Sequence, residues 1–293
     1  EVITTPLSYV ATPNAILYTG AKPVFVDVEP DTGLLDIDRI EEAITKRTKA
    51  ILPVHLYGQM VDMKKLKKFA DKHGLVIIED AAHAIEASRD GVRPGQMSFS
   101  ASFSFHVAKN ITSGEGGAVA TTNKNIGEQI RLLCREGVVR DGGKRIMTTF
   151  GFRYATTDFQ AALLLNQLLR IEKQYQQREK IWHYYAKKFQ DVKGVSFPKL
   201  IPNSRHAHHM FIIWMDPKKR DKIRKKIENA GIETSIHYNP IHLEPYYKKT
   251  FGFKSGDYPI AEKLGFSTIT LPLYPSLKKK EQDYIIGKIK ELI

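Results

Sequence analysis

A strand–helix–strand rhythm through the first half of the chain predicts an α/β fold, with a mostly parallel sheet carrying helices on both faces. Three observations lead there. Short apolar runs, Val24-Phe25-Val26, Ala50-Ile51-Leu52-Pro53-Val54 and Leu75-Val76-Ile77-Ile78, alternate with amphipathic stretches. The helical stretches have punctuated ends, as at Gly74 directly before an apolar run. Beyond Pro198 the rhythm gives way to short strands between strongly basic helices, which predicts a smaller α+β unit. A chain of 293 residues is long enough for both. The division falls near 190, giving a large unit over 1–190, including a long linking helix, and a small one over 191–293.

In order along the chain, residues 1–5 open as a strand and 24–26 form the next. Residues 37–44 read as a helix with Asp36 as N-cap. The strand over 50–54 precedes a helix over 63–73, where Met63, Leu66, Phe69 and Ala70 recur at helical spacing. Strands over 75–78 and 101–105 follow, then a helix over 125–136. A long helical segment over 157–189 begins with the capping pattern Thr157-Asp158-Phe159-Gln160. The small unit reads as strand 210–214, helix 216–230, strand 233–237, helix 258–264 and terminal helix 279–293.

Composition excludes several classes. The one cysteine, Cys134, rules out a disulfide framework and a cysteine-ligated metal or iron–sulfur cluster, so a reduced, cytoplasmic setting is expected. No run of about 18 apolar residues is present to span a membrane. The first residues lack the basic and apolar regions of a signal peptide; without a leading Met, the chain reads as a processed or trimmed piece. The net charge of +13 raises nucleic acid or an anionic substrate. The basic residues lie beside apolar ones at helical spacing, as in Lys218–Lys226, and read as solvated helix faces. No nucleic-acid motif joins them, so an anionic small molecule is the expected partner.

In a parallel sheet, ligands bind beyond the carboxyl ends of the strands, so the polar residues after each apolar run matter most. Those are His55, Tyr57 and Gln59; Glu79, Asp80 and His83; and Ser104, His106 and Lys109. Lys109 sits in Ser102–Asn110, which is followed at once by the glycine-rich Ile111-Thr112-Ser113-Gly114-Glu115-Gly116-Gly117. A partly desolvated lysine at a strand end suits a Schiff-base nucleophile, because burial makes the neutral amine accessible. An aldehyde cofactor on it needs an acid facing a ring nitrogen, anion donors and a stacking partner. Asp80 suits the acid, Ser104 a phosphate donor, His83 a contact to a phenolic oxygen or the ring, and Tyr9 a stacking face. His206-Ala207-His208-His209 invites a metal reading. No carboxylate or cysteine stands at ligand spacing beside it, so no metal is expected.

Several stretches together resemble the DegT/DnrJ/EryC1/StrS family of sugar aminotransferases, which have the fold-type-I architecture. They are PVHLYGQ (53–59), IEDAAHA (78–84), FSFHVAKNITSGEGG (103–117), DFQAA (158–162) and LPLYP (271–275), in the family's order. The resemblance implies pyridoxal 5'-phosphate as cofactor and transfer of an amino group, by family expectation from L-glutamate, to a nucleotide-linked keto-sugar. It makes Lys109 the lysine bonded to the cofactor, Asp80 the partner of the pyridinium nitrogen and Ser104 a phosphate donor. His83 falls near the ring and its phenolic oxygen, and Tyr9 at the aromatic stacking position. It also implies a homodimer in which the loop at 151–154, through Arg153, reaches the neighbouring subunit's cofactor phosphate. Family members carry further residues ahead of the stretch resembling Glu1, including a phosphate-binding helix start. Where the family reads G-[FY]-N-Y-R, this chain has Gly151-Phe152-Arg153-Tyr154-Ala155.

Three alternatives differ in what they require. The family's dehydratase branch replaces the lysine with histidine, which Lys109 contradicts. A non-catalytic regulatory or scaffold protein would not require the Asp80, Ser104 and Lys109 set. A nucleic-acid binder would use the basic faces instead. His206, His209, His237, Tyr238 and His242 stand where substrate contacts are expected.

Overall fold

The computed structural model describes residues 1–293. Its centre is a six-stranded sheet in the order β2-β1-β3-β4-β5-β6. The strands are β1 (Val2–Thr4), β2 (Pro23–Phe25), β3 (Ala50–Leu52), β4 (Val76–Asp80), β5 (Ser100–Ser104) and β6 (Gly117–Ala120). All neighbours run parallel except β5 and β6. Parallel strands need crossovers, which here include α1 (Ala11–Tyr18) and α2 (Met63–His73), and α3 (Lys124–Leu133) follows β6. The carboxyl ends of β4 and β5 therefore share one rim, with Asp80 in register with Ser102.

Local chemistry explains the boundaries of α2. The Asp62 side chain accepts from Lys65 N–H at its start, and Gly74 adopts the left-handed conformation (φ 63°) at its end. Met63, Leu66 and Ala70 face inward and join a core with Ile3, Ile51, Ile77 and Ala101 from the sheet.

A second core lies around the antiparallel pair β7 (Phe211–Trp214) and β8 (Thr268–Leu271). It gathers Ile223 and Ile227 of the helix Pro217–Asn229, and Ile285, Ile286 and Ile289 of the helix Lys279–Leu292. Ile181, Trp182, Tyr185 and Phe189 enter it from the helix Ile171–Phe189. No helix is long and apolar enough to cross a membrane.

Three expected elements differ. Residues 37–44 form two short 3₁₀ turns, Ile37–Arg39 and Glu41–Ala43, with Asp36 capping the first through Asp38 N–H. The buried Ile37 and Ile40 are three residues apart, and that spacing shares a face in a 3₁₀ helix. The long helical segment is two helices, α4 (Asp158–Leu168) and α5 (Ile171–Phe189), broken where Arg170 leaves helical geometry (φ −108°, ψ 0°). Gln167, just before the break, is tied by its amide to both the N–H and the C=O of Thr112. The strand expected over 233–237 is reduced to one bridge, Ser235 to Thr270. The His237 carbonyl accepts side-chain hydroxyls from Tyr57 and Thr268 instead of a ladder bond.

Candidate active site

Asp80 is the last residue of β4, and its carboxylate is held from two sides. Thr12, in α1, donates its hydroxyl to Oδ2 at 2.6 Å, and Ala82 N–H donates to Oδ1 at 3.0 Å. Thr12 is buried and also exchanges a hydrogen bond with Ser8 (3.0 Å). Two donors on a carboxylate fix its plane.

Lys109 stands five residues past the end of β5, in a turn closed by its own N–H to the His106 carbonyl (2.9 Å). Burial pushes its amine below the ordinary lysine value, and the Asp80 carboxylate partly opposes that shift. The acid and the amine are thus close enough to feel each other. Ser104 closes β5, and its hydroxyl accepts from His106 N–H at 3.3 Å. The return strand β6 lies hard against it: a side chain at Gly117 would place its Cβ 2.9 Å from the Phe103 carbonyl. Only glycine admits this approach.

His83 is buried and neutral at physiological pH. Desolvation pushes its pKa well below the usual value, and His209, Lys109 and His237 push the same way. Tyr57 N–H donates to its Nδ1 (3.3 Å), and its Nε2 lies 3.1 Å from the Tyr238 hydroxyl. The chain reaches this position through a tight reversal, with Tyr57 at φ 60° and Gly58 at φ 105°. A Cβ on Gly58 would lie 3.2 Å from Ala207 Cβ, His209 N and the His83 carbonyl. The PVHLYGQ stretch therefore folds back onto both histidines. Tyr9 is 59% exposed, its ring 5.9 Å from that of Tyr238.

A buried polar chain supports the segment carrying Lys109. Arg178, from α5, donates to Glu86, whose other oxygen accepts from Asn110 Nδ2 (2.8 Å). Asn110 Nδ2 also donates to the Ala207 carbonyl (2.9 Å), and Asn110 Oδ1 lies 3.0 Å from His209 Nδ1. The His209 ring then packs 4.5 Å from that of His83.

The structure thus gathers Asp80, His83 and Lys109 at the rim, with Ser104 at the end of β5 and Tyr9 beside Tyr238. Of the five expected substrate contacts, Tyr238, His209 and His237 belong to this cluster. His206 packs on Trp182 (5.6 Å), and His242 pairs with Glu262 (3.0 Å), away from it. Arg153 is exposed and pairs with Glu136 at 2.7 Å, apart from the other site residues. Thr12, Glu86 and Arg178 escaped the sequence reading, because nothing in their spacing announces a contact made 68 or 92 residues away.

The fold does bring a carboxylate to the histidine run. Donor atoms of Glu179, His183 and His208 lie within 4.8 Å of one another. Burial, with His206, His183, Arg178 and Arg205 around it, holds His208 down to about 2 and opposes a positive charge there. Glu179 already accepts the Tyr175 hydroxyl at 2.9 Å. The field and the occupied carboxylate both work against a cation.

A sequence profile of the DegT/DnrJ/EryC1/StrS aminotransferase family matches residues 1–290. The chain is 35% identical to GDP-perosamine synthase of Caulobacter vibrioides, over all of this chain and 79% of that protein. Among solved structures it is similar to Helicobacter pylori PseC, an aminotransferase involved in the biosynthesis of pseudoaminic acid. That match has a TM-score of 0.95 and 29% identity, over 99% of this chain and 79% of that one. The PLP form of the sugar aminotransferase Spr1654 from Streptococcus pneumoniae matches with a TM-score of 0.94 and 30% identity, over 99% and 80%. With its motifs, sheet and rim all of this kind, the chain belongs to the DegT/DnrJ/EryC1/StrS aminotransferase family.

Proposed function

We propose that this chain binds pyridoxal 5'-phosphate and transfers an amino group from an amino acid, L-glutamate by family expectation, to a keto group of a nucleotide-linked sugar. The observation that carries the reading is the half-buried Lys109, its amine depressed by burial, with the charge of Asp80, a carboxylate fixed by two donors, opposing that shift. The residues fit the cofactor: an amine for its aldehyde, an anionic acid for its pyridinium nitrogen, and Ser104 with its glycine-rich neighbours for its phosphate. When bound, the cofactor supplies an aldehyde that carries the amino group and a ring that withdraws electrons.

The side chains divide the remaining work. Asp80 holds a proton on the ring nitrogen. With the cofactor bound, Lys109 Nζ would take the proton from Cα of the amino acid and hand it back at the carbon that receives the amino group. Burial lowers the pKa of this amine and so enlarges the neutral fraction that such a role needs. His83 and Tyr9 bound the ring. The two half-reactions alternate, and the excess positive charge favours an anionic nucleotide-sugar.

The relatives support the substrate class through the GDP-linked sugar in one name and the sugar aminotransferase description of another. A homodimer is the proposed assembly, with Arg153 turned to the neighbouring subunit's phosphate. It is supported by α4, where Phe159, Leu163, Leu165 and Leu168 are all exposed and no residue is buried. We also place the division between the two units near residue 190, with the last turns of α5 packed into the second core.

Borohydride reduction after addition of pyridoxal phosphate tests the central claim. Peptide mapping should find the cofactor fixed to Lys109, and Lys109→Ala should lose it. Wild-type protein that traps nothing would overturn the enzyme reading. An amino-loaded protein that no nucleotide keto-sugar discharges would overturn the substrate class. A monomer by analytical ultracentrifugation would remove Arg153 from the site.

A further inference from the structure

The hydrogen bonds around His83 fix where protons sit. A backbone N–H can only donate, so Tyr57 N–H requires a lone pair at His83 Nδ1. A neutral imidazole with a lone pair at Nδ1 carries its proton on Nε2. The His83 ring is neutral, since burial, His209, Lys109 and His237 all disfavour its cation. The contact of 3.1 Å between His83 Nε2 and Tyr238 therefore has the histidine donating and the tyrosine oxygen accepting. The Tyr238 proton is left over, and that hydroxyl makes no other hydrogen bond within the chain. Burial, with Asp80 and Tyr9 nearby, pushes its pKa up, so the proton stays on. The Tyr238 backbone is steadied next door, where the His237 carbonyl accepts from Tyr57 Oη (2.8 Å) and Thr268 Oγ1 (3.3 Å).

We propose that Tyr238 is the hydrogen-bond donor of this site: its oxygen is committed to accepting from His83, and its proton is presented to an oxygen of a bound molecule. The acceptor is an anionic or carbonyl oxygen, either the phenolic oxygen of the pyridoxal ring or an oxygen of the sugar. This deepens the reading of the site as one for pyridoxal phosphate and rests on it. His83 acts through Tyr238 as a positioning residue, not as the direct partner of the phenolic oxygen.

The test has one arm that needs no cofactor. Long-range ¹H–¹⁵N correlation on the cofactor-free protein, assigned with His83→Gln, should show His83 protonated at Nε2 only. Protonation at Nδ1 would overturn the proposal, because Tyr238 would then spend its proton on His83. The second arm uses Tyr238→Phe loaded with pyridoxal phosphate. If the ring oxygen is the acceptor, the protonation midpoint of the bound chromophore rises by about one pH unit, as expected for losing a donor to an anionic oxygen. If a sugar oxygen is the acceptor, the chromophore titrates as in wild type and KM for the nucleotide keto-sugar rises about tenfold. A variant unchanged in both overturns the proposal. Wild-type protein that fails to bind pyridoxal phosphate refutes the cofactor reading separately and leaves the histidine result standing.

Discussion

The hydroxyl of Thr12 is 2.6 Å from Asp80 Oδ2, joining the first crossover helix to the acid at the end of β4. Thr12 in turn meets Ser8, so three polar groups are ordered in sequence beneath the rim. Thr12→Val keeps the volume and removes the donor. A hydrogen bond to a charged group contributes about 1.5–3 kcal/mol, so affinity for pyridoxal phosphate should fall by about tenfold or more. Thr12→Ser should retain most of it. Absorbance titrations of the cofactor-free proteins make the comparison, and equal affinities would show that Ala82 N–H alone holds Asp80.

Lys109 is pushed down by burial and held up by Asp80. Its amine should therefore lose its proton at lower pH than the solvated lysines, and Asp80→Asn should lower that pH further. Acetylation rates of the Lys109 peptide across pH 6 to 10, compared with those of exposed lysines by mass spectrometry, read this directly. A variant midpoint above that of wild type would contradict the coupling.

Much of this was legible in the sequence because it depends on local signals. The helix at Met63–His73 follows from Asp62, the apolar spacing and Gly74. Asp80 and Lys109 stand out because a parallel sheet puts strand ends on one rim. What escaped depends on chain folding over long separations. Tyr238 was one of five expected contacts, and only the backbone amide of Tyr57, 181 residues earlier, gives its hydroxyl a direction. The break at Arg170 was hidden for the same reason, since Gln167 beside it is fixed by Thr112, distant in sequence.

Glu86 and Arg178 are both 3% exposed and paired beneath Asn110, the neighbour of Lys109. Glu86→Ala strands a buried guanidinium and should cost about 3–5 kcal/mol of stability. The double variant Glu86→Leu with Arg178→Met replaces both charges by apolar groups and should recover most of that loss. Its activity should stay depressed, because Asn110 loses one of the two acceptors that orient its amide. Urea unfolding combined with turnover separates the two effects. Full recovery of activity in the double variant would show that the pair serves stability alone.

Five histidines that burial holds far below their usual pKa should make the protein acid-labile. Burial depresses His206 to about 3, His208 to about 2 and His237 to about 4, and His83 and His209 well below their usual value. In the unfolded chain each titrates near ~6.5. Above that pH neither state binds the proton, and stability is unaffected. Below it the unfolded chain binds protons that the folded one refuses, so stability falls as pH falls toward the folded values. At pH 5.5 each group costs on the order of 1 kcal/mol, and five together consume much of a typical margin of about 5–15 kcal/mol. The urea midpoint should hold between pH 8 and 7 and drop steeply from pH 6.5 to 5.5. Unfolding at pH 5.5 should take up about four or five protons, measurable by calorimetry in buffers of different ionisation enthalpy. His208→Leu should remove about one of them. Uptake of fewer than about two would mean that these rings are charged in the folded protein, and that the lone pair of His83 on which Tyr238 depends is not there.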